Sequence, residues 1–213
     1  ISGEWNMNDF SNDTWAGNVV RPSYEVFKDD IQKVVIEGGV KYIGRTAFSE
    51  YPIKEFEAKE GVETIGAWSF EYCHNLVSVK LPKSLRTIEA CAFNGCNMNT
   101  IVIPENVKEI GGAAFASCKQ LKEIRWNAID CTSASEILYR SAYENSTSPV
   151  KKVVFGKSVR SIPKKLFYDH IALETVVTSG NIETVGYKAF HGTTWYSNQI
   201  GKDGMKFIDK ALY

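Results

Sequence analysis

Five cysteines and three histidines are the residues best able to bind a metal, form disulfides or act as nucleophiles in this sequence. Cys73, Cys96 and Cys118 each follow a phenylalanine by three positions. No Cys-x-x-Cys or Cys/His pair has the spacing of a zinc site. We interpret these three as a column of small buried side chains, the cysteine column. Cys91 and Cys131 lie outside it and are candidates for free thiols, and the odd total argues against complete disulfide pairing.

The three histidines do not form a recognisable catalytic arrangement. His170 follows Phe167 by three positions, as the column cysteines follow their phenylalanines, while His74 and His191 directly follow Cys73 and Phe190. A Ser-His-Asp or Cys-His site needs a histidine that converges with a nucleophile and an orienting group. The sequence contains no nucleophile-elbow or phosphate-loop motif. We therefore predict a protein that is not an enzyme, with no catalytic, cofactor-binding or metal-binding residues.

The phenylalanines that precede the cysteines belong to a repeat that runs through the chain. An Ala-Phe pair or a close variant recurs, with the aromatic residues 22 to 28 positions apart, at Phe48, Phe70, Phe93, Phe115, Tyr143, Phe167 and Phe190. Each repeat opens with apolar residues at relative positions 1, 4 and usually 6, which predicts a short strand with one buried face. An apolar pair and a Gly or Pro follow, so we expect a bend and about one helical turn around Ala-Phe.

A single repeat of this size buries too few side chains to offset the conformational entropy of ordering it. Repeats must therefore stack, with equivalent strands paired in parallel and each aromatic residue packed against the next. The expected architecture is a curved solenoid.

The repeat pattern resembles a known family. The consensus L-x-x-I-x-I-P-x-x-V-x-x-I-G-x-x-A-F-x-x-C is clearest in LVSVKLPKSLRTIEACAFNGC and MNTIVIPENVKEIGGAAFASC. It resembles the BspA-like (Treponema-pallidum-type) leucine-rich repeats from Ile31 to Thr193. The resemblance implies an α/β, β-dominated fold: a right-handed solenoid of about seven 22-24 residue coils, with a parallel concave sheet and short helical turns or extended segments on the convex side. It also implies a bacterial, secreted or cell-surface binding protein.

The resemblance and the repeat boundaries divide the chain into three expected segments. Residues 1-30 resemble an N-terminal cap, residues 31-195 form the solenoid, and residues 196-213 form a C-terminal segment or begin a further repeat or cap. The fifth repeat, 121-149, is expanded and keeps only Ala142-Tyr143 of the pattern. We expect a bulge there, with a short helix around Ser135 to Tyr143.

Composition narrows the classes of partner. The 25 basic and 25 acidic residues cancel, so the chain lacks the basic footprint of a nucleic-acid-binding protein. No apolar run is long enough to span a bilayer. The sequence begins at Ile1, as expected of a processed or trimmed protein, so an extracellular or cell-surface location is expected from the resemblance alone. We expect a monomer that binds an extracellular protein or glycan.

The outward positions 3 and 5 of the predicted strands are the candidate binding surface. Opposite charges are expected side by side at Lys33 and Glu55, Glu57 and Lys80, and Glu123 and Lys152, which is also the pattern of an ordinary solvated sheet. The predicted partner site consists of Val102, Arg125, Trp126, Tyr139, Arg140, Val154 and Val177, because Arg and Tyr are favoured at binding hot spots. Trp126 takes position 6, so a place in the core is the alternative for it.

Three functions follow from these patterns. The first is a non-enzymatic binding or adhesion module that recognises a protein or glycan through its concave strand face. The second is a structural spacer that holds another domain away from a cell surface. The third is a glycan-binding or glycan-active protein that uses surface aromatic residues.

Overall fold

The computed structural model describes residues 23–134, 136–138, 149–199, 207–209 and 211–212. Most of these residues wind as a stack of coils, each with a longer strand and, except in the fifth coil, a two-residue strand before a run of turns. The longer strands are β1 (Lys33–Ile36), β3 (Glu55–Ala58), β5 (Ser78–Lys80), β7 (Thr100–Ile103), β9 (Glu123–Trp126), β10 (Lys152–Phe155) and β12 (Thr175–Val177). The two-residue strands are β2 (Tyr42–Ile43), β4 (Thr64–Ile65), β6 (Thr87–Ile88), β8 (Glu109–Ile110), β11 (Ser161–Ile162) and β13 (Thr184–Val185).

All pairings between these strands are parallel. The longer strands form the sheets β1-β3-β5 and β7-β9-β10-β12, and the two-residue strands form β2-β4-β6-β8 and β11-β13. The predicted β-dominated solenoid with parallel sheets is therefore confirmed. We call the outer side of the longer strands the long-strand face.

A row of aromatic rings runs through the core. Phe48, Phe70, Phe93 and Phe115 are buried, and successive ring centroids lie 5.3, 5.3 and 5.8 Å apart. Phe167 and Phe190 stack in the same way at 5.8 Å. The predicted packing of each aromatic residue against the next is confirmed for these coils.

The segment around Ala-Phe is a run of turns, so the expected helical turn is wrong. The amides of Thr46, Phe48 and Glu50 donate to carbonyls of the next coil at 2.7–3.1 Å, whereas the residues that follow each of them donate three residues back at 3.1–3.3 Å. Thr46 and Glu50 adopt φ of 55° and 63°. The residues two positions before and two positions after each aromatic residue of the row have left-handed backbone conformations, and these direct every second amide toward the neighbouring coil. In a helix the amides would instead donate to carbonyls of the same segment.

The fifth coil places Leu138, not Tyr143, in the aromatic row. Ser133 bridges to Glu109 in the two-residue-strand register, the Phe115 amide donates to the carbonyl of Ile137 at 2.8 Å, and Leu138 is buried. The predicted assignment of Tyr143 to this position is therefore wrong. Glu136–Leu138 form a turn, while the rest of the expected helix and the expected bulge lie outside the described residues. The extra length of this repeat falls after Leu138.

Further elements pack against the first and last coils. A 3₁₀-helix, Ser23–Asp30, places the Tyr24 ring on Phe48 at 5.4 Å. At the other end, helix α1 (Thr194–Asn198) begins after the capping residue Thr193, and β14 (Phe207–Ile208) pairs antiparallel with β15 (Ala211–Leu212). The Asp209 carboxylate accepts from the Ile182 amide at 2.9 Å. We propose residues 1-30 as an N-terminal cap segment, and residues 196-213 as a C-terminal segment or the start of a further repeat or cap.

Candidate partner-binding surface

The cysteine column has a structural environment. The thiols of Cys73, Cys96 and Cys118 donate to the carbonyl of the row phenylalanine one coil earlier, at 3.0, 3.2 and 3.2 Å. Burial raises the pKa of Cys73 to about 12 and that of Cys96 well above its ordinary value. The interpretation as buried side chains is confirmed, and Cys91 and Cys131 are also buried and form no disulfide with another described residue. Among the described residues, no group of three or more His, Cys, Asp and Glu side chains is placed to hold a metal ion.

His170 occupies the cysteine position of its coil. Its side chain is buried, and Nε2 lies 3.0 Å from the Val150 carbonyl. Burial lowers the pKa of His170, because the charged imidazolium loses its hydration. His170 therefore takes the place of a column cysteine as a neutral imidazole that, like the cysteine thiols, donates a hydrogen bond to a backbone carbonyl.

The burial of His170 predicts a loss of stability in mild acid. An unfolded histidine has a pKa of about 6.5, so below that pH the unfolded state binds a proton more readily than the folded state does. The free energy of unfolding should therefore fall as the pH drops below about 6.5. The contribution of His170 to this fall should end once the pH is below the lowered pKa of His170 in the folded protein. Urea unfolding at several pH values is expected to show a smaller loss for His170→Cys than for the unmodified protein. Identical pH dependence in both would contradict this assignment.

Four of the predicted site residues form one row across the long-strand face. The ladder register places Val102 beside Arg125, Arg125 beside Val154, and Val154 beside Val177. Val102 and Val177 are 43% and 39% exposed, and Val154 is half-buried. This valine–arginine row presents a guanidinium flanked by apolar side chains on hydrogen-bonded strands. We call it the Val–Arg row.

Arg125 uses one of its three guanidinium nitrogens in a hydrogen bond to Glu123. Its Nε donates to Oε1 of Glu123 at 2.7 Å, and Lys152 Nζ lies 3.0 Å from the other oxygen of the same carboxylate. The hydrogen bonds from Arg125 and then Lys152 lower the pKa of Glu123. The terminal nitrogens of Arg125 meet no acceptor among the described residues, so the guanidinium can still donate to a bound partner.

The predicted side-by-side placement of opposite charges is confirmed at all three places. Lys33 pairs with Glu55 at 3.0 Å, and Lys152 pairs with Glu123 at the same distance. Glu57 and Lys80 are ladder neighbours as predicted, although the Glu57 carboxylate accepts its hydrogen bond from Lys59 at 2.7 Å. The Lys33–Glu55 pair is solvent-exposed on both sides, and such pairs contribute little stability.

Trp126 does not belong to the surface. Its side chain is 0% exposed, and its Nε1 donates to the Ala128 carbonyl at 3.2 Å. Position 6 points into the core together with its ladder partners Ile103 and Phe155, so the placement of Trp126 in the partner site is wrong and the core alternative holds. The other two predicted members, Tyr139 and Arg140, lie outside the described residues.

A cavity next to the Val–Arg row was missed by the sequence reasoning. It has a volume of about 280 Å³ and lies where four longer strands end. Its lining residues are Leu81, Lys83, Val102, Pro104, Glu105, Asn127, Gly156, Lys157 and Ser158. The available signal was the repeated Lys-Ser dipeptide, at Lys83-Ser84 and Lys157-Ser158, which begins two or three residues beyond the end of a longer strand.

Comparisons with known proteins agree with this architecture. The family model for the BspA type leucine rich repeat region matches residues 41–134 and 125–213, with six copies. A solved leucine-rich repeat protein of T. pallidum is 19% identical with a TM-score of 0.52, covering 78% of this chain and 77% of its own. No curated protein sequence matches the chain.

Two further solved structures are similar at lower TM-scores. A leucine rich cell surface protein of Faecalibacterium prausnitzii is 24% identical, with a TM-score of 0.37 over 76% of this chain and 58% of its own. The pneumococcal vaccine antigen PcpA is 16% identical, with a TM-score of 0.42 over 88% of this chain and 64% of its own. None of the helices in the described ranges has the length and hydropathy to cross a membrane.

Proposed function

Because the chain belongs to the BspA-type leucine-rich repeat family, we propose that it is a non-enzymatic binding or adhesion module that recognises a protein ligand through its long-strand face. We place this activity outside the cell or at the cell surface, and we propose that the module acts as a monomer. The resemblance implies that this face is concave, a shape that suits the recognition of a convex partner.

The Val–Arg row is the observation that carries the proposal. Arginine is enriched at interface hot spots, and the centre of an interface is depleted of other charges. Val102 and Val177 supply exposed apolar area on either side of Arg125. The strands that carry the row are fixed by their ladders, so little conformational entropy is lost when a partner binds.

The test is a screen against immobilised extracellular-matrix proteins and a glycan array, repeated with the double variant Arg125→Ala/Val154→Asp. We expect binding to a protein ligand to weaken by at least about tenfold, which is the loss of one hot spot. The melting temperature should change by no more than about 4 °C, because the Arg125 side chain is 60% exposed.

A matched control lies at the two-residue strands. Arg160→Ala/Thr184→Asp makes the same kinds of change at two exposed residues: Arg160, which directly precedes β11 and pairs with Glu183 at 3.7 Å, and Thr184 in β13. This control should bind as the unmodified protein does. Equal loss in both double variants, or undiminished binding in the first, would refute the assignment of the face. A ligand found only on the glycan array would favour glycan recognition, and no ligand at all would favour the spacer.

A further inference from the structure

The cavity beside the Val–Arg row is bordered by two turns that share a Lys-Ser sequence. Residues Pro82-Lys83-Ser84 and Gly156-Lys157-Ser158 both follow a longer strand. Each turn is closed by a hydrogen bond from the next residue to the first one, at 3.3 Å from Leu85 to Pro82 and 3.1 Å from Val159 to Gly156. In such a turn the amides of the two central residues are free to bind other groups.

The first copy of the turn binds a carboxylate. The Lys83 amide donates to Oε1 of Glu60 at 2.9 Å, and the Ser84 amide donates to Oε2 at 3.0 Å. Glu60 comes from the preceding coil, so the two amides bind one oxygen each across the coil boundary. These backbone hydrogen bonds lower the pKa of Glu60. The chain thus contains its own example of carboxylate recognition by this turn.

The second copy lacks an internal carboxylate. The loop of the preceding coil has Ala128 and Ile129 in the region where Glu60 lies in its own coil, and its one acid, Asp130, pairs with Lys108 at 2.9 Å. Among the residues that the structure describes, no acceptor lies on the amides of Lys157 and Ser158. Both residues are exposed. The site that Glu60 fills elsewhere is therefore available here to a group from another molecule.

The surroundings of the second turn suit an acidic side chain of a protein. Lys157, Lys83 and Glu105 line the same cavity, so their charges leave one net positive charge near an anion bound there. The Glu105 carboxylate lies 3.4 Å from Lys83 Nζ, which offsets its repulsion. Val102 joins the cavity to the Val–Arg row, so one partner can place a carboxylate in the cavity and apolar side chains on the row.

We propose that the amides of Lys157 and Ser158 form a carboxylate socket that binds an Asp or Glu side chain of the protein partner. This inference rests on the proposed function and adds the chemistry of the partner. Two amide donors, each to one carboxylate oxygen, would fix the orientation of the acid as they fix that of Glu60.

The test is an NMR titration of the ¹⁵N-labelled chain with sodium acetate, at constant ionic strength, with acetamide as the neutral probe. We expect the amide resonances of Lys157 and Ser158 to shift saturably with acetate and not with acetamide. The same titration with N-acetyl-Val-Glu-Val-amide should saturate at a lower concentration than with glucuronate. Tighter binding of glucuronate would overturn the assignment to a protein side chain.

Two variants at one position separate the amide from the charge. Lys157→Pro removes the amide, and proline is favoured at this turn position, whereas Lys157→Gln removes only the charge. We expect Ser158 in the proline variant to need at least about fivefold more acetate for half-saturation than in the glutamine variant. Equal affinity in the two variants, or no saturable shift in the unmodified protein, would overturn the socket. Failure of the ligand screen would leave this titration unaffected.

Discussion

Replacing Phe93 by alanine is expected to lower the free energy of unfolding by about 3–5 kcal/mol. Phe93 is fully buried, and its ring stacks nearly parallel on Phe70 and Phe115, with interplanar angles of 5° and 4°. The substitution therefore creates a cavity at two coil boundaries at once. Because each coil is stable only through its neighbours, a defect in the middle of the stack weakens the coupling on both sides of it.

Urea unfolding followed by circular dichroism measures this effect. Phe27→Ala is the matched control, because Phe27 is 60% exposed on the 3₁₀-helix and carries the same side chain. We expect that control to change the free energy of unfolding by no more than about 0.5 kcal/mol. Similar small losses in both variants would show that the aromatic row does not stabilise the stack.

Trp126→Ala is expected to cost about 3–5 kcal/mol as well, because a large core side chain is removed. Trp126 is fully enclosed, its indole N–H has a buried carbonyl acceptor, and its ladder neighbours Ile103 and Phe155 are buried. A surface binding residue would behave differently, since its loss would weaken partner binding with little change in stability. The variant thus separates the core placement from a role at the partner site.

Trp68→Ala provides the comparison for Trp126→Ala. Trp68 is half-buried, with the Arg45 guanidinium 4.2 Å from its ring centroid. A surface cation–π contact contributes on the order of 0.5–1 kcal/mol, so this variant should lose much less stability than Trp126→Ala when both are unfolded in urea. A Trp126→Ala protein as stable as Trp68→Ala would place Trp126 outside the core.

We propose that the Val–Arg row and the Lys157–Ser158 turn together form a divided recognition surface. Arg125 offers terminal nitrogens to an acceptor, and the turn offers backbone amides to an acid. Val102 lies between them and contributes apolar area. A partner that fits both would be a protein segment with an acidic residue beside apolar ones. Its binding should weaken in high salt, because the charged contacts are solvent-exposed.

The repeat could be predicted from the sequence because its signals are local. The apolar alternation of each strand requires one buried face, and the regular recurrence of Phe48, Phe70, Phe93 and Phe115 requires stacking. The cysteine column followed from the same fixed offset. The ladder row through Val102, Arg125, Val154 and Val177 also follows from counting positions within repeats, because parallel coils of similar length keep equivalent residues side by side.

Several side-chain positions and contacts depend on the tertiary structure and cannot be predicted by counting positions within the repeats. Leu138 fills the aromatic row because the extra residues of the fifth repeat come after it in the sequence. They do not change the spacing of the residues before them. Trp126 points inward because the core between neighbouring coils accommodates an indole and an acceptor for its N–H. Glu57 bonds Lys59 rather than Lys80, since a flexible side chain has several partners within reach. The repeated Lys-Ser turn differs between its copies for a related reason: its contacts come from a coil more than twenty residues away, where one loop supplies Glu60 and the other supplies no carboxylate.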